Sequence, residues 1–419
     1  MDTSLSAHQS LQLNSLAFVI FVCVAVVGYQ ITAALTRGNA KVLRPVRGLV
    51  LFALNVWFLV YFIRGLTSWF ILAGLLAMTY LFGQLRKVRY DKNLDDFPGL
   101  FSFITIALWA LLFLAKDPDL GSIVNPFNYA PLKLVGISFI FFRCINYIED
   151  APVLDRHSPL DFLNFMIFFP TLMSGPLERF DRFLDDYTAN TPLTESVVWV
   201  SLNRIFTGVI MKFVFADMLY PLTGFGSADA LQFEMSFLWL SFFIQLFVLF
   251  LDFAGYTHMM IGIGGLLGFK LAENFNRPFV AQNVQEFWER WHMSLTSFIQ
   301  DYMFNPLSRT VVLRSTARSR FPLMMGVYFL TMMVIALWHG TTWGFFIFGL
   351  LHAGALVYIQ VRKKYLPSWS SGPTILLAWE SPRALAIFVT YTYVSFSMMF
   401  WIHGPSETLL ILGRMMGAE

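Results

Sequence analysis

The chain has 419 residues, of which 57% are hydrophobic and 13% charged, and its formal net charge is +3. A soluble globular chain carries about 25% charged residues, so half that share excludes a surface that mostly meets water and points to lipid. The mild positive excess fits the loops of a membrane protein. With no basic stripe interleaved with aromatics, nucleic acid is not expected as a partner.

In chain order, residues 1–14 are polar and carry no Lys or Arg. They lack the charged start of a secretory signal, and the apolar run that follows is long enough to stay as a spanning helix. Apolar runs predict spanning helices at 15–35, 48–63, 67–85, 97–114, 132–148, 197–220, 237–253, 321–336, 343–359 and 384–401. Several fall short of the roughly 20 residues of a perpendicular span, which suits tilted or re-entrant segments. Two further stretches read as re-entrant. Residues 161–174 are apolar but interrupted by Pro170 and ended by Ser174-Gly175-Pro176. Residues 258–269 carry Gly262, Gly264, Gly265 and Gly268, which permit either a tight reversal or close helix packing.

Positive clusters follow the first apolar run (Arg37, Lys41, Arg44, Arg47), the third (Arg86, Lys87, Arg89, Lys92) and a late one (Arg362, Lys363, Lys364). The positive-inside rule puts these in the cytoplasm, and the N-terminus and the loop 116–130 outside. Cys23 and Cys144 lie inside apolar runs and form neither a disulfide network nor a metal site. Only the short loop 367–373 resembles a linker, so the whole of 1–419 reads as a single integral-membrane domain. No inverted repeat is visible, which argues against a secondary transporter.

In so apolar a chain the polar clusters carry the information. The densest runs from Asp252 to Asp301, where Glu286, Trp288, Glu289, Arg290, Trp291, His292, Asp301 and Tyr302 are expected on one helix. On such a helix Trp288 and His292 share a face, and Glu289 is placed to orient the His292 ring. An interfacial amphipathic helix with a Trp belt accounts for the same residues. The second cluster, Trp338-His339-Gly340-Thr341-Thr342, sets a histidine between two apolar runs. An ionisable residue at membrane depth is a functional-site hypothesis by default, and histidine suits proton transfer near neutral pH. A histidine bonded to a carbonyl at a helix break is the structural alternative. His352, on an apolar run, reads as a satisfied packing histidine, and His403 as interfacial. No nucleophile elbow, P-loop, dinucleotide fingerprint or zinc spacing occurs, so general-base chemistry from a buried histidine remains.

At these residues the sequence resembles the membrane-bound O-acyltransferase family, in the branch of alginate O-acetylases and teichoic-acid D-alanyl transferases. Four ordered segments carry the resemblance: GISFIFFR (136–143), SGPLERFDRF (174–183), residues 252–307 with RWHMSL, and LWHGTTWGFFIFGLLHA (337–353). The resemblance implies an all-α polytopic bundle of about 10–12 spanning or re-entrant helices ringing a central tunnel. Residues 1–128 would supply peripheral helices, 129–353 the catalytic core and 354–419 the C-terminal helices. It implies His339 as the base and His292 as a second site histidine. Asn274, Asn276, Arg277, Trp288, Trp291, Asp252, Tyr256 and Trp338 are the expected tunnel or substrate-binding residues. The implied reaction carries a small acyl group, acetyl or D-alanyl, from a cytoplasmic thioester to a hydroxyl of an extracytoplasmic envelope polymer. The donor would be acyl-CoA or an acyl-carrier protein, and an extracytoplasmic partner protein is expected. No tightly bound cofactor or metal is expected, and the implied location is a bacterial plasma membrane. Two other classes fit a polar tunnel: a transporter or flippase for an acylated carrier, and a non-catalytic scaffold of an envelope-modifying complex.

Overall fold

The structure, a computed structural model, describes residues 13–37, 40–63, 66–94, 137–223, 233–365 and 382–417, with 104, 107 and 108. Every regular element among them is helical. The elements are α1 (Leu16–Arg37), α2 (Ala40–Val60), α3 (Leu66–Asp91), α4 (Ile137–Asp150), α5 (Pro159–Met166), α6 (Phe169–Leu172) and α7 (Phe180–Ala189). Then come α8 (Glu195–Thr223) and α9 (Met235–Leu266), followed by α10 (Val284–Arg290), α11 (Met293–Ile299) and α12 (Asn305–Arg314). The last are α13 (Ala317–His339), α14 (Trp343–Tyr365) and α15 (Arg383–Met415). Among the described residues α1, α3, α8, α9, α13, α14 and α15 are long and apolar enough to cross a membrane. This is an integral membrane protein, because lipid leaves a backbone no partner but itself and so favours the helix. Of the span expected at 97–114 only 104, 107 and 108 are described, and the loops at 116–130 and 367–373 lie outside the described residues.

The chain forms two compact units. One takes the described residues up to Gly208 together with Tyr256–Ala272. The other takes Val209–Gly255 and the described residues from Glu273 onward. Helices α8 and α9 each contribute to both.

The first unit has an aromatic core. Phe21 meets Phe169 edge-on at 5.0 Å, Phe168 lies 5.3 Å from Phe183, and Phe183 stacks on Phe269 at 5.1 Å. The stretch expected to be re-entrant is broken into α5 and α6. Ser158 and Asp161 close a capping box at the start of α5, satisfying two backbone donors reciprocally. The break falls at Ile167–Phe168, ahead of Pro170, which sits in the first turn of α6. Arg143 on α4, only 2% exposed, closes it. Its Nη1 donates to the carbonyls of Phe165 (2.8 Å) and Met166 (2.7 Å), and Nη2 donates to the Thr171 hydroxyl. A cation at a helix C-terminus satisfies orphan carbonyls and complements the dipole.

The glycine-rich stretch 258–269 is not re-entrant. Most of it is the last part of the 32-residue α9, and its glycines serve packing. A β-carbon at Gly262 would lie 2.6 Å from the Ser201 carbonyl oxygen of α8. The glycine therefore lets two helix backbones approach more closely than any side chain would allow. The helix stops where Gly268 takes a φ of 88°, and Gln30 of α1 donates to the Leu266 carbonyl at 2.8 Å.

The second unit packs α13 along α14 and α14 along α15. Leu238 and Phe242 of α9 pack with Met399, Ile411 and Met415 of α15. A β-carbon at Gly344 would collide with the Phe400 carbonyl, so this glycine sets how near α15 approaches α14. Four residues later α15 kinks at Gly404 (φ 72°), followed by Pro405.

Candidate functional site

The helix expected across 286–302 is not continuous. Asn283 caps α10 by accepting from the Glu286 amide, and α10 ends at Arg290. Trp291 is extended (φ −105°, ψ 129°), His292 adopts the left-handed conformation (φ 46°, ψ 51°), and α11 begins at Met293. The reason lies about sixteen residues upstream. Segment 274–276 runs antiparallel to 290–293, with Phe275 bridged to Trp291. The Asn276 amide donates to the Arg290 carbonyl (3.0 Å) and the Met293 amide to the Asn274 carbonyl (2.8 Å). Asn274, fully buried, accepts the Ser294 hydroxyl through Oδ1. These bonds hold His292 in a conformation that a non-glycine residue adopts at a cost of about 1–3 kcal/mol, and such outliers collect at functional sites.

His292 is 4% exposed, and its Nε2 is buried without a hydrogen-bond partner. It lies outside the seven spanning helices, and burial, which disfavours the charged form, pushes its imidazole down to about 3. Phe253 of α9 meets its ring edge-on at 4.8 Å. Because the helix breaks, His292 does not share a helical face with Trp288. Glu289 does not orient it either: that carboxylate is exposed and accepts from Gln285 at 2.9 Å.

His339 is the last residue of α13, where Gly340 leaves helical geometry. It is half-buried and surrounded by rings: Trp338 at 4.4 Å, Trp401 at 4.2 Å and Phe345 stacked at 6.3 Å. Trp338, itself buried, also lies 6.2 Å from the His292 ring. The two histidines, 47 positions apart in the chain, thus border the same indole.

The other expected site residues divide. Asn274 and Trp291 support the His292 turn, Trp291 stacking on Phe287 at 5.3 Å. Asn276 and Arg277 are exposed. Asn276 borders an open polar cleft of about 450 Å³ with Asn283, Gln285, Glu286, Glu289, Arg290 and Lys363. Asp252 is ion-paired with Lys212 from the π-helical turn Ile210–Ala216 of α8. Trp288 donates through Nε1 to His352 Nδ1 at 3.1 Å, and His352 Nε2 lies 2.8 Å from the Ser397 hydroxyl. That hydroxyl donates to the Val394 carbonyl, so Nε2 carries the proton of a neutral, fully satisfied His352, as expected of a packing histidine. Tyr256 belongs to the first unit, where its hydroxyl bonds the backbone of Ser174. Sequence reasoning missed Trp401, Phe345 and Phe253. The first stands 62 positions after His339, and the only local signal was an indole just before a Gly-Pro pair.

The SGPLERF segment supplies a buried carboxylate in the first unit. Glu178 accepts from the amides of Arg179 (3.1 Å) and Ala272 (3.2 Å). Burial raises it to about 7, against the lowering effect of these bonds and of Arg182. The folded protein then holds a proton that the unfolded chain has lost, so stability falls as pH rises from the unfolded value near 4.5 toward 7. The thermal midpoint of the detergent-solubilised protein should decline from pH 5 to pH 8, and Glu178→Gln should flatten that decline. An unchanged slope in Glu178→Gln would remove Glu178 as its source.

Among the described residues no group of three or more His, Cys, Asp or Glu side chains is arranged to hold a metal ion. A family model of membrane-bound O-acyltransferases matches residues 6–369. The chain is similar to a teichoic acid D-alanyltransferase of Streptococcus thermophilus, with 29% identity over 75% of this chain and 77% of that protein. It is similar to the Bacillus subtilis protein of the same name, with 30% identity over 73% and 78%. A probable alginate O-acetylase of Azotobacter vinelandii is 33% identical over 56% of this chain and 47% of its own length.

Proposed function

The chain belongs to the membrane-bound O-acyltransferase family and is an O-acyltransferase, and from that premise we propose that it esterifies a hydroxyl of an envelope polymer with a small acyl group, using His339 as base. The observation that carries this reading is the pair of histidines bordering Trp338, one half-buried at a helix end and one buried with an unpartnered nitrogen.

The neutral imidazole of His339 takes the acceptor hydroxyl proton as the oxygen attacks the thioester carbonyl. The C–S bond breaks, the thiolate leaves and recovers the proton from the imidazolium, and the products are an ester and a free thiol. General-base assistance of this kind contributes about 10²–10⁴-fold. His292, pushed down to about 3, stays neutral throughout the physiological range. Its part is therefore a hydrogen bond from or to the substrate, polarising the thioester carbonyl or fixing the acceptor, and not proton uptake.

The names of the relatives, D-alanyltransferases of teichoic acid and a probable O-acetylase of alginate, support a polymer acceptor and a small acyl group, acetyl or D-alanyl. A cytoplasmic thioester, acyl-CoA or an acyl-carrier protein, supplies the acyl group, and an extracytoplasmic partner hands over the acceptor. The protein sits in a bacterial plasma membrane with its N-terminus outside, in accord with the Lys/Arg loop clusters.

The test is the ester-linked acyl content of the cell-surface polymer, released by mild base and identified by mass spectrometry, in cells with and without the gene. Loss of one small acyl species on deletion, restored by the gene, is the expected result. Release of acetate or of D-alanine would identify the donor. Unchanged acylation on deletion would overturn the assignment.

A further inference from the structure

Resting on His339 as the base, we infer that Trp401 is a positioning residue for the reaction, holding the imidazole close beside its indole and stabilising the positive charge that forms there. The geometry is specific. The Trp401 ring centroid stands 4.2 Å from that of His339 at a 45° tilt, and Trp338 stands 4.4 Å away at 60°. A cation within about 6 Å of an indole face is attracted by the ring quadrupole, and the attraction grows where water is excluded. The imidazole is neutral before transfer and an imidazolium in the transition state. The indole therefore binds the transition state more tightly than the ground state, the kind of interaction that raises kcat.

Three features show that Trp401 is placed there by the architecture. Phe345 and Phe348 of α14 back its indole at 5.3 and 5.2 Å, fixing its plane. The close approach of the Phe400 backbone to Gly344 brings α15 to this depth. The kink at Gly404 follows three residues later and turns the chain away. Trp401 also lies beyond residues 6–369, which the family model matches, so the C-terminal helix completes the surroundings of a histidine carried by the matched region.

The test uses the full chain in native membranes, supplied with the thioester whose acyl group the ester analysis identifies. Position 401 carries tryptophan, 5-fluoro-, 5,7-difluoro- or 5,6,7-trifluorotryptophan, which weaken the ring quadrupole stepwise with little change of shape. The expected result is a stepwise fall in kcat at unchanged KM. Trp401→Leu should lie about 3- to 30-fold below wild type, the range that a cation–π contact of this class spans, and Trp401→Phe between the two. Equal kcat across the fluorinated series, or a loss confined to KM, would overturn the inference. A His339→Ala arm separates the two readings. An inactive His339→Ala with a flat fluorine series leaves His339 as base and removes only the role of Trp401. A His339→Ala with wild-type kcat removes the base itself.

Discussion

Replacing His339 with alanine is expected to lower acyl transfer by at least 10²-fold, and by as much as 10⁴-fold, with KM for the donor little changed. The reasoning is that the imidazole acts on the transferring proton, an interaction made in the transition state and not on binding. His339 is half-buried at the end of α13. Its truncation opens space among Trp338, Trp401 and Phe345 without stranding a core charge, so the protein should still insert at wild-type levels. His292→Ala should also reduce transfer, for a different reason and with a structural side effect. Alanine tolerates the left-handed backbone at φ 46° poorly, whereas asparagine visits it readily. His292→Asn should therefore recover membrane level and thermal stability without recovering full activity. The measurement is the initial rate of ester formation at matched membrane levels. Wild-type rates in His339→Ala would end the case for it as base.

Arg143→Met is expected to be the most damaging single change to the fold. The guanidinium is buried and donates to two helix-end carbonyls and a hydroxyl, and it packs 5.5 Å from the Phe165 ring. Removing it takes the donor from the Met166 carbonyl outright and leaves the Phe165 carbonyl and the Thr171 hydroxyl with their longer bonds to the Phe168 amide (3.3 Å) and carbonyl (3.5 Å). An unsatisfied buried polar group costs about 1–3 kcal/mol, so with two further bonds weakened a loss on the order of 2–4 kcal/mol is expected, against total stabilities of roughly 5–15 kcal/mol for ordinary domains. Arg143→Lys should recover only part, because a point charge on a flexible stem cannot reproduce the planar fork that reaches both carbonyls and Thr171. Thermal unfolding of the solubilised protein, with membrane abundance alongside, reads both variants. A Met variant within 1 kcal/mol of wild type would contradict this account. The motif GISFIFFR thus ends in a structural arginine: in this segment the resemblance followed the fold rather than the chemistry.

The sequence by itself determined the solvent, the helical class and the location of the two histidines. Each is a local property. An apolar run long enough to span must be helical wherever lipid offers the backbone no partner, and the Gly340 that follows His339 marks a helix end in the string itself. The same local logic identified His352 as a packing histidine. It failed where a distant segment decides. The run from Glu286 to Tyr302 has helical composition, yet the backbone bonds it makes to 274–276 break it at His292. Gly262 and its neighbours allowed both a reversal and a packed helix, and only the nearness of the Ser201 backbone selects packing. The tertiary structure alone brought His292 and His339 to border the one indole of Trp338 and set Trp401 against His339. Those placements depend on side-chain volumes and helix contacts summed over positions 47 and 62 apart in the chain, a sum that neither hydropathy nor spacing records.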